Sequence, residues 1–430
     1  MKQRKSNTWS RLDNAAKIFP STTTKRDTKV FRFACELYEL VDPIVLQQAL
    51  DETMTHFPLY QSMMTRGLFW YYLEPCSQKP LVKLEAKPPL GPLYDANRKG
   101  LLFEVTYYRN RISLEVFHAL SDGTGAMEFL RVLVYHYLIH KHGDTLGAAV
   151  PAMDYDASAS QQSADSFAKY YNREGRQERH RTQWAHQLRG PRLSENRLRI
   201  IEGVAPVKDV LRKAHENHAT LTVFLGAVLL CAIGEEMAVR DKKRPAVLTV
   251  PVNLRKYFDS QSARNFFSVI NVGYDFRSGS GEFADVVEHL ERGFAQMLTH
   301  EKLSERINML AAIEHNFLVR LVPLALKDVV LRIADDFAAK EITASLSNIG
   351  RVTMPRELTP YIRLFDVFAS TDILQICVCS FEENLTMSFS SAFVSTDVQR
   401  RFFRTLTGMG IPVTIAANEV DPDDSGEVKG

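Results

Sequence analysis

Cysteine is scarce in this sequence, uncompensated charge is scarcer, and no apolar run is long enough to cross a bilayer. The five cysteines, Cys35, Cys76, Cys231, Cys377 and Cys379, form an odd set without metal-ligand spacing. Cys377 and Cys379 would share one strand face, but no second pair completes a site. They read as reduced thiols of a cytoplasmic protein with no metal centre. Lys and Arg number 53 against 51 Asp and Glu, a formal net charge of +2, so no long-range field points to a nucleic-acid partner. The longest apolar stretch, Leu221 to Gly234, is about 14 residues where a bilayer needs about 20. It predicts a buried helix and no transmembrane segment. The polar, basic opening lacks the apolar core of a secretory signal.

What is present suits a large globular protein. A chain of 430 residues that is 45% hydrophobic and 24% charged can bury an extensive core. Residues 1–29 read as a basic N-terminal arm, with Lys2, Arg4, Lys5, Arg11, Lys17, Lys25, Arg26 and Lys29 against Asp13 and Asp27. Residues 30–150 predict a first α/β subdomain: a strand near 30–40, a helix over Pro43 to His56, more strands to Phe117, then a helix from about Thr124 to His142. Residues 151–195, rich in Ser, Gln, Asp, Arg and His, read as a linker; its Arg173, Arg176, Arg179 and Arg181 are taken as solvated charge. Residues 196–417 predict a second α/β subdomain. Its helices are expected at 206–218, 220–238, 283–299, 316–335 and 395–407, with strands near 245–251, 266–276, 341–347, 361–368, 373–380 and 384–391. Residues 418–430 form an acidic tail.

The most informative stretch runs from Ile112 to Gly125. Strand alternation puts Ile112, Leu114, Val116 and His118 on one face, so the histidine ends an apolar row and points inward. A partly buried imidazole favours its uncharged form and is a candidate general base. Asp122, Gly123 and Gly125 supply a turn into a helix, glycine tolerating backbone angles that other residues do not. Asp122 alone reads equally as a helix N-cap. Further along, Thr343, Ser345 and Ser347 share a hydroxyl-bearing strand face. His136 and His140, four apart on a helix, lack a third metal ligand.

His118-x-x-x-Asp122-Gly123 resembles the HxxxDG motif of the superfamily that includes chloramphenicol acetyltransferase, alcohol acetyltransferases, plant BAHD acyltransferases and nonribosomal-peptide condensation domains. Pro251-Val252-Asn253-Leu254-Arg255 resembles its arginine-bearing segment, Asn265 to Asn271 the strand after it, and Ser345 to Gly350 a late strand ending in Ser-Asn. The likeness is closest to stand-alone alcohol acetyltransferase-like members. Phe117 stands where condensation domains usually carry a first histidine, and no DFGWG segment of the plant branch is present.

The resemblance implies an α/β fold of two such subdomains, each an open mixed sheet with helices, with a tunnel at their interface. It implies an acyltransferase that moves an acyl group from a thioester to a small hydroxyl or amine acceptor, the hydroxyl preferred. His118 would be the base, and Asp122 would turn away from substrate to pair with Arg255. Ser347 and Asn348 are candidate oxyanion donors. Acyl-CoA and an acylated carrier protein stay open as co-substrate, with no permanently bound cofactor. A non-catalytic carrier-binding module and a carrier-dependent ester- or amide-forming condensation enzyme are the rival readings.

Overall fold

The computed structural model describes residues 10–12, 15–146, 150–151, 153, 170, 183–195, 197–260, 265–315 and 321–419. Residues 1–9 of the basic arm, the four linker arginines and the tail beyond residue 419 lie outside the described residues. The first half runs β1 (Ser10–Arg11), α1 (Phe19–Thr22), β2 (Val30–Leu37), α2 (Pro43–His56), β3 (Ser62–Arg66), β4 (Tyr71–Pro75), β5 (Lys83–Leu84), β6 (Phe103–Tyr108), β7 (Arg111–Phe117) and α3 (Gly123–Leu146). The second runs β8 (Arg199–Pro206), α4 (Val207–Glu216), α5 (Leu221–Glu236), β9 (Ala246–Asn253), β10 (Phe267–Tyr274), α6 (Phe283–Met297), α7 (His300–His315), α8 (Leu324–Ala339), β11 (Ala344–Arg351), β12 (Ile362–Ala369), β13 (Leu374–Phe381), β14 (Asn384–Ser391), α9 (Asp397–Gly408) and β15 (Thr414–Ala417).

Local chemistry explains the well-placed elements. Asp42 caps α2 by accepting from the N–H groups of Ile44 at 2.8 Å and Val45 at 3.3 Å, while Pro43 occupies the first helical turn, where no N–H is needed. Thr220 caps α5, which is apolar on nearly every side because it is buried on nearly every side. Two mixed sheets carry the two halves. One is ordered β12-β2-β7-β6-β5 and the other β10-β9-β11-β13-β14-β8-β15; a small third sheet pairs β1-β4-β3. Parallel pairing occurs at β5–β6, β9–β11 and β11–β13.

Three differences from the sequence expectation have physical causes. The helix expected at 316–335 is found as α8, which starts only after Pro323 and runs on to Ala339; residues 316–320 lie outside the described residues, and α7 before them was not expected. The buried residues of α8 are Leu324, Lys327 and Asp328, so its apolar stripe faces outward. Second, β12 comes from the later half of the chain yet pairs along β2 and completes the first sheet. Third, β8 and β15 pair with each other at the far edge of the large sheet, and neither carried a strong alternating signal.

An ion network ties the two sheets. Arg111 of β7 reaches Glu36 of β2 at 3.0 Å, Glu202 of β8 at 2.7 Å and Asp366 of β12 at 3.7 Å. Asp366 is fully buried and also receives the Ser388 hydroxyl of β14. Burial, with Glu202 beside it, pushes its carboxyl well above the ordinary range. That shift favours the protonated acid, which reduces the charge that the interior must hold.

Candidate functional site

β7 ends where the apolar row Ile112, Leu114 and Val116 ends, each fully buried, and His118 follows at once. The His118 N–H donates to the Lys29 carbonyl at 2.8 Å, which fixes the backbone. Lys29 itself has φ of 53°, in the left-handed region that a lysine rarely occupies. Its ammonium pairs with Asp27 at 2.7 Å and Asp335 at 3.8 Å. The imidazole is half-buried among aromatic rings. Phe19 stacks on it with centroids 4.2 Å apart, Phe31 meets it edge-on at 4.9 Å, and Phe267 lies at 5.3 Å.

One ring nitrogen is anchored: Nδ1 lies 3.1 Å from Asn265 Oδ1. With Nδ1–H as the donor, Nε2 carries the lone pair. Burial pulls the His118 pKa below its usual value, outweighing the Asn265 hydrogen bond and the Asp122 charge that favour the protonated form. The neutral, basic ring is therefore the stable form near pH 7.

Asp122 is both a helix cap and an ion-pair partner. Its Oδ1 accepts from the Gly125 N–H at 3.0 Å, capping α3, while its Oδ2 accepts from Arg255 Nη1 at 2.7 Å and from the Phe266 N–H at 3.0 Å. The carboxylate thus ties the first sheet's turn to the β9–β10 connection. Gly123 is needed for space rather than for an unusual φ: a Cβ there would lie 3.2 Å from Ile349 Cδ1. That corrects the backbone-angle reason given by sequence.

These groups sit on a cavity of about 860 Å³ lined from both sheets and from α5 and α6. His118, Asp122, Gly123, Arg255, Ser347 and Asn348 all contribute to its wall. Asn348 is already engaged, its Nδ2 donating to Thr222 Oγ1 at 2.9 Å and its Oδ1 accepting from the Gly350 N–H at 2.9 Å. Those bonds hold a bulge in β11, where Gly350 takes φ of 92°. The Ser347 hydroxyl has no hydrogen-bond partner among the described residues. Cys377 also lines the cavity, but burial pushes its thiol up to about 12, so it is not a thiolate at neutral pH. His136 and His140 lie apart from this site and share the Glu52 carboxylate, at 3.3 Å and 2.8 Å.

Sequence reasoning missed two contributors. Asn265 carried no signal for its role because it is 147 positions from His118. Residues 15–29, read as part of an arm, instead build a wall of the cavity through Phe19, Asp27 and Lys29. Ala16, Pro20, Ser21 and Thr22 of this segment are buried.

No protein-family model matches the chain, and no curated protein does. Solved structures do match. Trichothecene 15-O-acetyltransferase from Fusarium sporotrichioides is 10% identical, with 93% of this chain and 94% of that one covered at a TM-score of 0.59. Polyketide synthase associated protein 5 from Mycobacterium tuberculosis is 13% identical over 93% and 98%, at 0.60. The first condensation domain of the CDA synthetase is 18% identical over 94% and 97%, at 0.58. At these identities the likeness establishes the fold alone: two α/β subdomains with open mixed sheets.

Proposed function

We propose that this chain is an acyltransferase that moves an acyl group from a thioester, on coenzyme A or an acyl carrier protein, to a hydroxyl or amine, with His118 as general base. One observation carries the reading: a neutral imidazole, its Nδ1 held by Asn265, on the wall of a cavity of about 860 Å³. A hydroxyl acceptor is favoured, in keeping with the 15-O-acetyltransferase that shares the fold.

In this reading His118 Nε2 takes the proton of the acceptor O–H or N–H while the oxygen or nitrogen attacks the thioester carbonyl carbon. The tetrahedral intermediate then collapses, the C–S bond breaks, and the proton on Nε2 passes to the departing sulfur. Ester or amide and free thiol leave in equal amounts. Holding both substrates in line replaces several kcal/mol of entropic barrier. The protonated Cys377 is not called upon, and no acyl-enzyme is required. Ser347 is the better-placed oxyanion donor, since Asn348 already spends its carbonyl oxygen and one N–H on the β11 bulge. Asp122 and Arg255 act as structure, keeping the turn that carries His118 against the opposite sheet.

The test is release of free thiol from a panel of acyl-CoAs with short alcohols and amines, run beside the same acyl groups loaded on a carrier protein. Turnover with either donor supports acyl transfer. A strong preference for the loaded carrier selects the condensation-type rival. Carrier binding without thiol release from any donor would support the non-catalytic module and sink the enzyme.

A further inference from the structure

We propose that the outer face of α8, with the tip of the β3–β4 hairpin, is a docking surface for an anionic lipid membrane. This goes beyond the acyl-transfer reading and does not rest on it.

The helix is inverted. An ordinary surface helix turns its apolar stripe inward, but α8 is held by its polar face. Asp328 is buried, where it accepts from Ser21 Oγ at 2.6 Å and from Arg66 Nη2 and Tyr71 OH at 3.1 Å each. Lys327 is buried with its Nζ on the Phe69 carbonyl at 3.0 Å and 3.6 Å from the Trp70 ring centre. Arg332 Nε donates to the Ser21 carbonyl at 2.8 Å.

The opposite face presents Leu326, Val330, Ile333 and Phe337, spaced as one helical stripe and 59%, 64%, 51% and 55% exposed. Val329 lies beside them. The patch continues onto the hairpin tip, since the Leu324 N–H donates to the Leu68 carbonyl at 2.9 Å and Leu68 is itself 72% exposed. A contiguous apolar surface of this kind marks an interaction site.

Charge selects the occupant. Lys17 lies over Trp70 at 5.1 Å, Arg66 is half-exposed though paired with Asp328, and Arg332 and Lys340 carry charge beside the stripe, against Asp336 and the half-exposed Asp335, which pairs with Lys29. Apolar side chains on a convex helix with basic neighbours fit an interface of acyl chains and anionic headgroups. A second copy meeting this face across a two-fold axis would bring the same basic rims together. The placement also has a use: Asp335, on the inner side of the same helix, lines the cavity, so a substrate with an apolar tail would have a short path from the bilayer.

Flotation with vesicles of phosphatidylcholine containing about 30% phosphatidylglycerol, beside pure phosphatidylcholine, tests the proposal. The full chain should float with the anionic vesicles and lose most binding to neutral ones. The double variant Val330→Asp/Ile333→Asp should lower partitioning by about 100-fold, from two lost apolar anchors. Its melting temperature and its circular dichroism should be unchanged, because both side chains already face water. Lys340→Glu should weaken binding several-fold at low salt only. Failure of the wild type to float, or equal flotation of the double variant, overturns the proposal. So does light scattering that shows a lipid-free wild-type dimer which the double variant splits, since the face would then belong to a second copy.

Discussion

Removing the carboxylate of Asp122 should cost far more than removing an ordinary helix cap, and the excess can be assigned to Arg255. The side chains of Asp122 and Arg255 are 5% and 12% exposed and meet at 2.7 Å, so both charges are largely out of water. Asp122→Ala takes the carboxylate from the guanidinium, leaving it neutral acceptors such as Asn253 Oδ1 at 3.3 Å, and removes the acceptor of the Gly125 and Phe266 N–H groups. A buried pair broken on one side costs about 3–5 kcal/mol, against about 1 kcal/mol for a cap alone. Arg255→Ala should cost less, about 2–4 kcal/mol, because the carboxylate keeps its two backbone donors. Urea unfolding of the two single variants and the double variant then gives the coupling, expected at about 2 kcal/mol in favour of the pair. Additivity within about 0.5 kcal/mol would refute the coupling. A loss of only about 1 kcal/mol in Asp122→Ala would reduce the residue to a cap.

The other expectations concern the imidazole and its turn. As pH falls the base form of His118 is lost, and because burial lowers its pKa, the acid limb of kcat/KM should turn over below 6.5, the ordinary value of the group. An inflection at or above 6.5 would contradict a desolvated base. Asn265→Ala removes an interaction that favours the protonated ring, so it should move that limb lower still while reducing kcat by about 10-fold through loss of the fixed tautomer; an unchanged profile would remove Asn265 from the site. Gly123→Ala should cost about 1 kcal/mol in thermal unfolding, since its Cβ would crowd Ile349 Cδ1 at 3.2 Å. Ile349→Val, which deletes that atom, should restore most of the loss, and no rescue would mean the glycine is required for another reason.

How much of this could be read from the sequence depended on how local the physics was. The bounds of α2 were legible because the Asp42 cap and Pro43 act within one turn. The inward aim of His118 followed from alternation along a single strand, and the Asp122–Arg255 contact was anticipated only through a motif resemblance, since 133 positions separate the two residues. Position along the chain misled where pairing was non-local, as for β12 beside β2. Which face of α8 is buried was not legible, because the usual burial rule is reversed there and Asp328 and Lys327 point inward. The stacking of Phe19 on His118 was illegible for a different reason, because a four-residue helix has too little periodicity to announce a packed side.

The most direct measurement is turnover by purified His118→Ala in the thiol-release assay, with unfolding followed in parallel. A positioned general base contributes about 10²–10⁴-fold, so the variant should lose that factor in kcat while unfolding like the wild type. Transfer at the wild-type rate by a folded His118→Ala chain would contradict the assignment of the base, and with it the chemistry proposed for the cavity.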